Sequence, residues 1–408
     1  MKYKKIVISL VVACCCSIPY SSAENNATGE LQKVKSIVNN AIKWQFEHMP
    51  EKGRGFENPR WNGWADGVFL SAVADWDEYD PAAGFRKTYQ KIAEDIAWEP
   101  GRRSLNPAND LAVCLAYAKI YQLNPKPRHI LTDMTGVQWN PDTWDKLLGG
   151  WKTLIPTIER LDFQMKDYPK TKDYNPILAI NQERWSWCDA LYMAAPTYAL
   201  FAELTGDHQY RKFMNREFWS LMNLLYDKEE HLVFRDINYL DKKEPNGEKV
   251  FWGRGNGWVV GALVRVMNYL PDNYKPKRKY EKVFCELMER IASLQNSDGY
   301  WHTSLLDPQS YPMPETSASG FFTYGLWWGI NEGLLDKEHY LPMAQRAWEA
   351  MVQAIQPSGM LGYVQPIGDR PENISAEKNE VYGTAALALA GLEVCRYLEQ
   401  NDANWRVR

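Results

Sequence analysis

The most constraining feature of this 408-residue sequence is an alternation of two kinds of predicted helix. Helices that are apolar on all sides alternate with amphipathic, charged helices, and few segments show the period-two pattern of strands. An N-terminal amphipathic helix, LQKVKSIVNNAIKWQF, brings the amphipathic set to six. The six apolar helices are predicted to begin near Asp66, Asp110, Asp189, Gly257, Ser319 and Gly383.

This alternation predicts two concentric rings of helices, an all-α (α/α)6 toroid or barrel. Helices that are apolar all round are buried, whereas amphipathic helices keep one face in water. One helix pair cannot bury its apolar face alone, so closure of the ring completes the core. An open superhelical solenoid shares the alternation but needs capping repeats, and the count of six favours closure. We therefore predict a single catalytic domain over residues 24–408.

The loops before the inner helices are expected to form the functional site. In such a ring the inner helices all run in one direction, so these loops gather at one end. Asp66, Asp110, Asp189 and Arg254 lie in or beside them. Loops held by a rigid scaffold commonly carry binding and catalytic residues.

Asp189 lies in the stretch RWSWCDALYM, directly after Trp185 and Trp187. It could cap a helix, since Asp is favoured at that position and the helix dipole would keep it ionised. Alternatively, the two indoles would desolvate the carboxyl group and raise its pKa, which would make it a proton donor near neutral pH. The sequence leaves both interpretations open.

Two further acids follow the same plan at the start of an inner helix. Asp110 in LNPANDLAVC is either a cap or the second carboxyl group of a glycosidase site, in which one acid protonates and another orients or activates water. Asp66 in WNGWADGVFL is predicted to be a cap rather than a catalytic group.

The stretch FWGRGNGWVV is the second candidate binding segment. Arg254 lies between glycines, where the backbone can approach a ligand closely. Its guanidinium can bind a sugar carboxylate, and Trp252 can stack on a sugar ring. The alternative is that Arg254 pairs with a structural acid. Nearby, Arg235 and Asp236 are either substrate-binding groups or simply each other's partners, and Glu315 with Ser317 are either site residues or the cap of the fifth inner helix.

Composition and motifs narrow the classes of function that the chain can have. The chain has 18 Trp and 23 Tyr, which favours stacking on sugars, although large helical proteins also use such residues for packing. A net charge of −4 gives no basic footprint for nucleic acid. The six His are dispersed without HExxH spacing, and there is no phosphate-binding glycine loop or GxSxG motif. No metal or cofactor is predicted.

The N-terminus, MKYKKIVISLVVACCCSIPYSSAENN, predicts export. Its basic start, short apolar stretch and small residues are typical of a signal peptide over residues 1–23, with cleavage after Ala23. The alternative is lipidation of Cys14 in VVAC, which would give a lipid anchor. Either form would be periplasmic or an outer-membrane lipoprotein of a bacterium. The four later cysteines lack a CxxC pair and are predicted to be buried thiols: Cys114, Cys188, Cys285 and Cys395.

Several stretches together resemble the unsaturated rhamnogalacturonyl hydrolases, glycoside hydrolase family 105, and more distantly the unsaturated glucuronyl hydrolases. The resemblance covers almost the whole mature chain, and the combination of WxxDALYM with FWxRGNGW is specific. It is carried by RWNGWADGVFL, WCDALYMAAPTYALFAELTGD, VFWGRGNGWVVGALVRVMNYLP, LLDPQSYPMPETSASGFFTYGLWWGINEGLL and NEVYGTAALALAGLE.

The resemblance implies the (α/α)6 fold and an activity in the degradation of rhamnogalacturonan, a pectin. A 4,5-unsaturated uronic acid would be removed from the non-reducing end of a lyase-generated oligosaccharide by hydration of its double bond. Asp189 would protonate C4 and then help water add at C5, and Asp110 would match the second acid of the family. Trp252, Arg254 and Arg235 would bind substrate, together with the aromatic candidates Trp64 and Trp185.

One departure from the family pattern concerns the neighbouring sugar. Many members have Tyr-His where this chain has Phe234-Arg235, and an arginine cannot exchange protons as a histidine can. Rhamnose is the first expectation for the next subsite, and other lyase products stay open. Two other functions also stay open: an inverting glycosidase acting on saturated sugars, with Asp110 and Asp189 as acid and base, and a non-catalytic glycan-binding protein.

Overall fold

The computed structural model describes residues 21–49, 62–101, 108–123, 153–169 and 184–401. These residues contain twelve α-helices, numbered α1 to α12 here in chain order. The odd-numbered helices are α1 (Ser21–Glu47), α3 (Arg86–Asp95), α5 (Ile155–Asp167), α7 (His208–Leu225), α9 (Lys277–Ser293) and α11 (Lys337–Gln353). The even-numbered helices are α2 (Trp64–Tyr79), α4 (Ala112–Leu123), α6 (Asp189–Thr205), α8 (Gly253–Tyr269), α10 (Thr316–Asn331) and α12 (Val381–Gln400).

The even-numbered helices form a closed inner ring. Each packs against the next one in chain order, and α12 returns to pack against α2. The six inner helices begin within a few residues of the predicted starts, so the predicted (α/α)6 toroid is confirmed. Helix α1 packs against α12, which is the position predicted for the N-terminal helix.

Burial distinguishes the two rings in the way that their sequences predict. In α10 every residue from Thr316 to Ile330 is buried, because the helix has neighbours on all sides. In α9 the buried positions include Tyr280, Phe284, Leu287 and Ile291, which lie on one face of the helix, while its charged face is exposed.

Glycines let neighbouring inner helices approach closely and run parallel. A Cβ on Gly67 of α2 would lie 2.3 Å from the backbone nitrogen of Val113 in α4. A Cβ on Gly320 of α10 would lie 2.7 Å from the Cβ of Ala386 in α12. Both contacts join positions near the starts of the two helices, so the inner helices begin at the same end of the ring. We call this end the N-terminal mouth.

The opposite end of the inner ring holds a buried ionic cluster. Nη1 of Arg265 donates to the hydroxyls of Ser71 (2.9 Å) and Tyr192 (3.0 Å), and Nη2 donates to Asp75. Nζ of Lys119 lies 2.9 Å from Oδ1 of Asp75. The charges are therefore paired where they are removed from water, as buried charges must be. Part of a cavity of about 480 Å³ is lined by this cluster.

A short hairpin between α7 and α8 reaches the N-terminal mouth. Strands β1 (Tyr226–Asp227) and β2 (Leu232–Val233) are antiparallel, with Tyr226 opposite Val233 and Asp227 opposite Leu232. A 3-10 helix, Ile237–Tyr239, follows the hairpin.

The structure also bears on the predictions about the cysteines and the N-terminal segment. The described cysteines are free thiols; Cys114, Cys188 and Cys395 are buried as predicted, while Cys285 is half-buried. Among the described residues, every helix is too short or too polar to cross a lipid bilayer. The predicted signal segment and Cys14 lie in residues 1–20, outside the described part of the chain.

Candidate active site

Asp189 is the first residue of α6, at the N-terminal mouth of the inner ring. The cap position before it is occupied by Cys188, whose side chain makes no capping hydrogen bond. Asp189 is therefore not the cap residue. Its side chain is only 13% exposed, and its Oδ2 atom accepts a hydrogen bond from the thiol of Cys188 at 3.3 Å.

The segment after β2 brings a cation to this carboxyl group. The backbone N–H of Cys188 donates to the carbonyl of Arg235 at 2.8 Å, and Trp187 forms an antiparallel bridge with Asp236. These contacts place Nε of Arg235 3.9 Å from Oδ2 of Asp189. The guanidinium also donates through Nη1 to Oδ2 of Asp236. The sequence prediction that Arg235 and Asp236 pair with each other is thus one part of a larger arrangement.

The surroundings of Asp189 raise the pKa of its carboxyl group. Burial raises the pKa of Asp189 above its ordinary value, and this effect exceeds four opposing ones. The opposing effects are the charge of Arg235, the hydrogen bond from Cys188, the charge of Arg254 and a hydrogen bond from the backbone N–H of Asp189 itself. A carboxyl group with a raised pKa is suited to giving up a proton during a reaction near neutral pH.

Asp110 lies at the start of the neighbouring inner helix. It belongs to a 3-10 helix, Ala108–Leu111, that leads into α4, and the whole residue is 3% exposed. Its Oδ2 atom accepts a hydrogen bond from Nη1 of Arg160 in α5 at 2.7 Å. Because α4 and α6 are in contact, both candidate acids lie on adjacent inner helices at the same mouth. Arg160 was not among the predicted site residues, since nothing in its local pattern separates it from other outer-helix arginines.

Arg254 holds a loop at the mouth. It lies in the first turn of α8, and its guanidinium donates to the carbonyls of Gln365 (2.6 Å) and Pro366 (2.9 Å). The guanidinium carbon lies 4.5 Å from the ring centre of Trp252 and 4.9 Å from that of Tyr382. Among the described residues, Arg254 therefore contacts carbonyls and aromatic faces, and not the structural acid considered as an alternative.

Trp252 is part of the same support. It is 1% exposed, and its Nε1 donates to Oε1 of Gln365 at 2.7 Å. Its ring therefore offers no open face to a sugar in this structure. Gln365 is also bound by Glu315, because the backbone N–H of Gln365 donates a hydrogen bond to Oε1 of Glu315 at 3.0 Å. Gln365 lies in a loop without a recognisable motif, so this role could not be predicted from the local pattern.

The two remaining aromatic candidates lie in different environments. Trp64, the first residue of α2, is partly exposed and stacks on Tyr382, with ring centres 5.4 Å apart and an interplanar angle of 19°. Trp185 is 1% exposed and packs against Tyr198 and Phe213, so the structure places it in the core and not at the mouth. Trp187, two residues on, is partly exposed beside Asp236.

Of the two residues Glu315 and Asp66, each predicted as a possible helix cap, only Glu315 caps a helix. Glu315 caps α10, as one interpretation predicted, by accepting the backbone N–H groups of Ser317 (3.0 Å) and Ala318 (2.6 Å). Asp66 is fully buried in the first turn of α2, but the cap position there is Gly63, so the prediction that Asp66 is a cap is wrong.

A buried ion pair that was not predicted from the sequence anchors the stretch before Asp189. Arg184 donates through Nε and Nη2 to the two carboxylate oxygens of Glu217 in α7, at 2.8 and 3.1 Å. Both side chains are at most 1% exposed. This two-point contact fixes the start of RWSWCD against the outer ring. Within the described residues, no three His, Cys, Asp or Glu side chains cluster as metal ligands would.

Comparison with known proteins places these features in a family. Residues 143–398 match the family described as Glycosyl Hydrolase Family 88. The chain is 35% identical over 351 residues to an unsaturated 3S-rhamnoglycuronyl hydrolase of Formosa agariphila, with 81% of this chain and 87% of that protein covered. It is 30% identical to a protein of the same name from an Alteromonas species, covering 93% of this chain and 88% of the other. A solved structure described as a polysaccharide lyase matches with a TM-score of 0.74 and 28% identity, over 91% of this chain and 99% of that one.

The closed double ring and the buried carboxyl groups at its mouth define an (α/α)6 glycoside hydrolase. The chain belongs to glycosyl hydrolase family 88. The family resemblance stated from the motifs and the prediction of a glycosidase are both confirmed. The roles of individual site residues remain predictions.

Proposed function

We propose that this glycosidase removes a 4,5-unsaturated uronic acid from the non-reducing end of oligosaccharides by hydrating the C4=C5 double bond. The observation that carries the proposal is the buried carboxyl group of Asp189, whose pKa is raised and which lies 3.9 Å from the guanidinium of Arg235. A raised pKa suits a carboxyl group to general acid catalysis, while the adjacent cation complements the carboxylate of a uronic acid.

The proposed reaction uses Asp189 twice. The protonated carboxyl group donates its proton to C4, and the cation that develops at C5 is stabilised by the ring oxygen. The resulting Asp189 carboxylate accepts a proton from a water molecule as the water oxygen bonds to C5. The product is a hemiketal at C5. Its ring opens to a C5 ketone and a C1 hemiacetal, which collapses to an aldehyde and releases the neighbouring sugar.

Three features of the mouth support binding of such a substrate. The side chain of Arg235 is 25% exposed, so its charge is accessible to an anionic sugar. Arg254 adds positive charge within electrostatic range of Asp189. Trp64 is partly exposed and held in a stack with Tyr382, which makes it a rigid platform for a sugar ring.

We propose rhamnose as the neighbouring sugar, and specifically a rhamnose with a sulfate at position 3. The support is the name shared by the Formosa and Alteromonas relatives, unsaturated 3S-rhamnoglycuronyl hydrolase. A galacturonyl and a glucuronyl precursor would give the same unsaturated sugar, because they differ only at C4, which becomes trigonal. The choice between these precursors therefore disappears once the double bond exists. We also propose export, on the basis of the N-terminal segment.

The test is the ultraviolet absorbance of the conjugated double bond during turnover. Unsaturated uronyl-rhamnose disaccharides with and without the 3-sulfate are compared with saturated counterparts. We expect absorbance to fall with the unsaturated substrates, and we expect Asp189→Asn to fold normally and lose about 10²–10⁴-fold in rate.

Other functions would give other signals. An inverting glycosidase would cleave the saturated substrates, and a lyase, the activity for which the 28%-identical structural relative is described, would make absorbance rise with intact polysaccharide. A glycan-binding protein would show no turnover and would keep its affinity in Asp189→Asn. Any of these results would contradict the proposal.

A further inference from the structure

Arg235 lies between two carboxyl groups and forms a hydrogen bond with only one of them. Its Nη1 atom donates a hydrogen bond to Oδ2 of Asp236, whereas its Nε atom lies 3.9 Å from Oδ2 of Asp189. That distance exceeds the 2.7–3.2 Å of an N–H···O hydrogen bond. Nε has no hydrogen-bond partner among the described residues, although it is buried. The guanidinium is thus close to Asp189 without donating to it.

Asp236 is held in place by contacts that do not involve Arg235. It is 5% exposed, and its Oδ1 atom accepts the backbone N–H of Asn238 at 2.7 Å as the cap of the 3-10 helix Ile237–Tyr239. Its backbone bridges to Trp187, two residues before Asp189. Asp236 is therefore a fixed anchor, and the longer arginine side chain is the partner whose position it determines.

We propose that Asp236 is a positioning residue that keeps the guanidinium of Arg235 off the carboxyl group of Asp189, so that Asp189 retains its proton. The inference rests on the proposed role of Asp189 as the proton donor. A guanidinium that donated directly to Asp189 would form a charge-assisted hydrogen bond, which stabilises the carboxylate and depletes the acid. At 3.9 Å the same cation can still attract the anionic substrate, and it can stabilise the Asp189 carboxylate that forms later in the reaction.

The charged and titratable groups facing Asp189 come from three elements. Cys188 precedes it in the same turn, Arg254 approaches from α8, and Arg235 with Asp236 approach from the segment after β2. Burial raises the pKa of Asp189, and Arg235, Cys188 and Arg254 act against that rise. Moving Arg235 closer would strengthen the largest of these opposing effects. Removing the negative charge of Asp236 would act in the same direction.

The informative variant is Asp236→Asn, because an asparagine can still cap the 3-10 helix but loses the charge that holds Arg235. The pKa of Asp189 is then expected to fall. Activity that needs a protonated acid is lost as pH rises through that pKa, so the alkaline limb of kcat should move to lower pH. Each unit of movement gives about tenfold lower kcat on the alkaline side, with little change at low pH. Arg235→Gln removes the cation that lowers the pKa of Asp189, so the alkaline limb of kcat in this variant should move to higher pH.

A matched control is Asp227→Asn in the hairpin that precedes Asp236. Asp227 also accepts backbone N–H groups, from Glu229 (2.9 Å) and Glu230 (3.0 Å), and pairs with a cation, Lys249 (2.6 Å), and none of these contacts involves Asp189. Its pH profile should match the wild type. Thermal unfolding of each variant separates a loss of folding from a change in the acid.

The outcomes separate this inference from the proposed function. Absence of turnover in the wild type, or an active Asp189→Asn, would overturn the proposed function itself. An active wild type with an inactive Asp189→Asn, combined with an Asp236→Asn profile that is unchanged or moved to higher pH, would overturn the role of Asp236 alone. If Asp236→Asn fails to fold, Arg235→Gln decides, because an unmoved limb in that variant contradicts any control of Asp189 by the guanidinium.

Discussion

Nη1 of Arg160 lies 2.7 Å from Oδ2 of Asp110, so a candidate acid of the inner ring is held by an arginine of the outer ring. The carboxylate is 3% exposed and the arginine side chain 17% exposed. Outer helix α5 therefore takes part in the geometry of the mouth although it lines no part of the inner ring. This relationship sets the position of Asp110 relative to its neighbour α6.

Arg160→Gln should weaken both folding and activity. The buried carboxylate of Asp110 would lose a charged donor, which costs about 1–3 kcal/mol in the free energy of unfolding. Urea denaturation and kcat/KM on an unsaturated disaccharide measure the two effects. Lys91→Gln is the control, because Lys91 forms an exposed pair with Asp95 on α3 and its loss should change stability by well under about 1 kcal/mol. Equal losses in both variants would contradict a structural role for the Arg160 pair.

Cys188→Ala should shift the pH dependence of turnover upward. The thiol donates to Oδ2 of Asp189 at 3.3 Å and stabilises the carboxylate form. Without this donor the pKa of Asp189 rises further, so activity that needs the protonated acid persists to higher pH. The measurement is kcat as a function of pH. Cys395→Ala, which removes a buried thiol from α12, should leave the alkaline limb of the kcat profile unchanged. A shift in that variant as well would show that the effect comes from a general loss of packing and not from the hydrogen bond to Asp189.

Arg254→Lys should raise KM while leaving the charge at residue 254 unchanged. A lysine cannot reproduce the two hydrogen bonds to the carbonyls of Gln365 and Pro366, and each bond to a charged group is worth about 1.5–3 kcal/mol. We expect a rise in KM of about tenfold or more, with faster proteolysis near Gln365. Arg346→Lys removes an exposed contact with Gln295 and is the control. An unchanged KM together with unchanged proteolysis would contradict the anchoring role.

Gly67→Ala should destabilise the whole ring. The added Cβ would lie 2.3 Å from the backbone nitrogen of Val113, so α2 and α4 would have to separate. Forced overpacking of this kind costs about 1–3 kcal/mol or more, measured by thermal or urea unfolding. Gly29→Ala in α1 meets nothing within 4 Å and should be neutral or stabilise by up to about 1 kcal/mol. A Gly67→Ala protein as stable as the Gly29→Ala protein would show that the contact can relax freely.

The fold could be predicted because it depends on a pattern that every helix repeats. A helix such as α10 is apolar on all sides, which leaves it only an interior position, and the same holds for the other inner helices. Once six inner helices are counted, the closed ring is expected, and the shared direction of these helices places Asp110 and Asp189 at the same end of it.

The details of the site depend on long-range contacts that a local pattern does not encode. Trp185 and Trp187 are two residues apart with similar neighbours, yet Trp185 packs on Phe213 of α7 while Trp187 bridges to Asp236. Arg254 was expected to bind a ligand, but its two carbonyl partners lie 111 and 112 residues away in the chain. The identity of such partners is decided by how the loops cross the mouth, which single-sequence reasoning does not reach.

The joint between the first and last inner helices constrains how the protein can be synthesised. The hydroxyl of Tyr79 in α2 donates to Glu399 in α12 at 2.6 Å across 320 residues of chain, and Thr384 of α12 also donates to Gln45 of the outer helix α1 at 2.8 Å across 339 residues. Contacts of such high separation in sequence form late, because a long loop must close before they stabilise anything. A nascent chain on the ribosome keeps an apolar flank of α2 uncovered until α12 has been synthesised and has left the ribosome. Loss of the final helix would therefore remove the partner of the first one and leave an open arc.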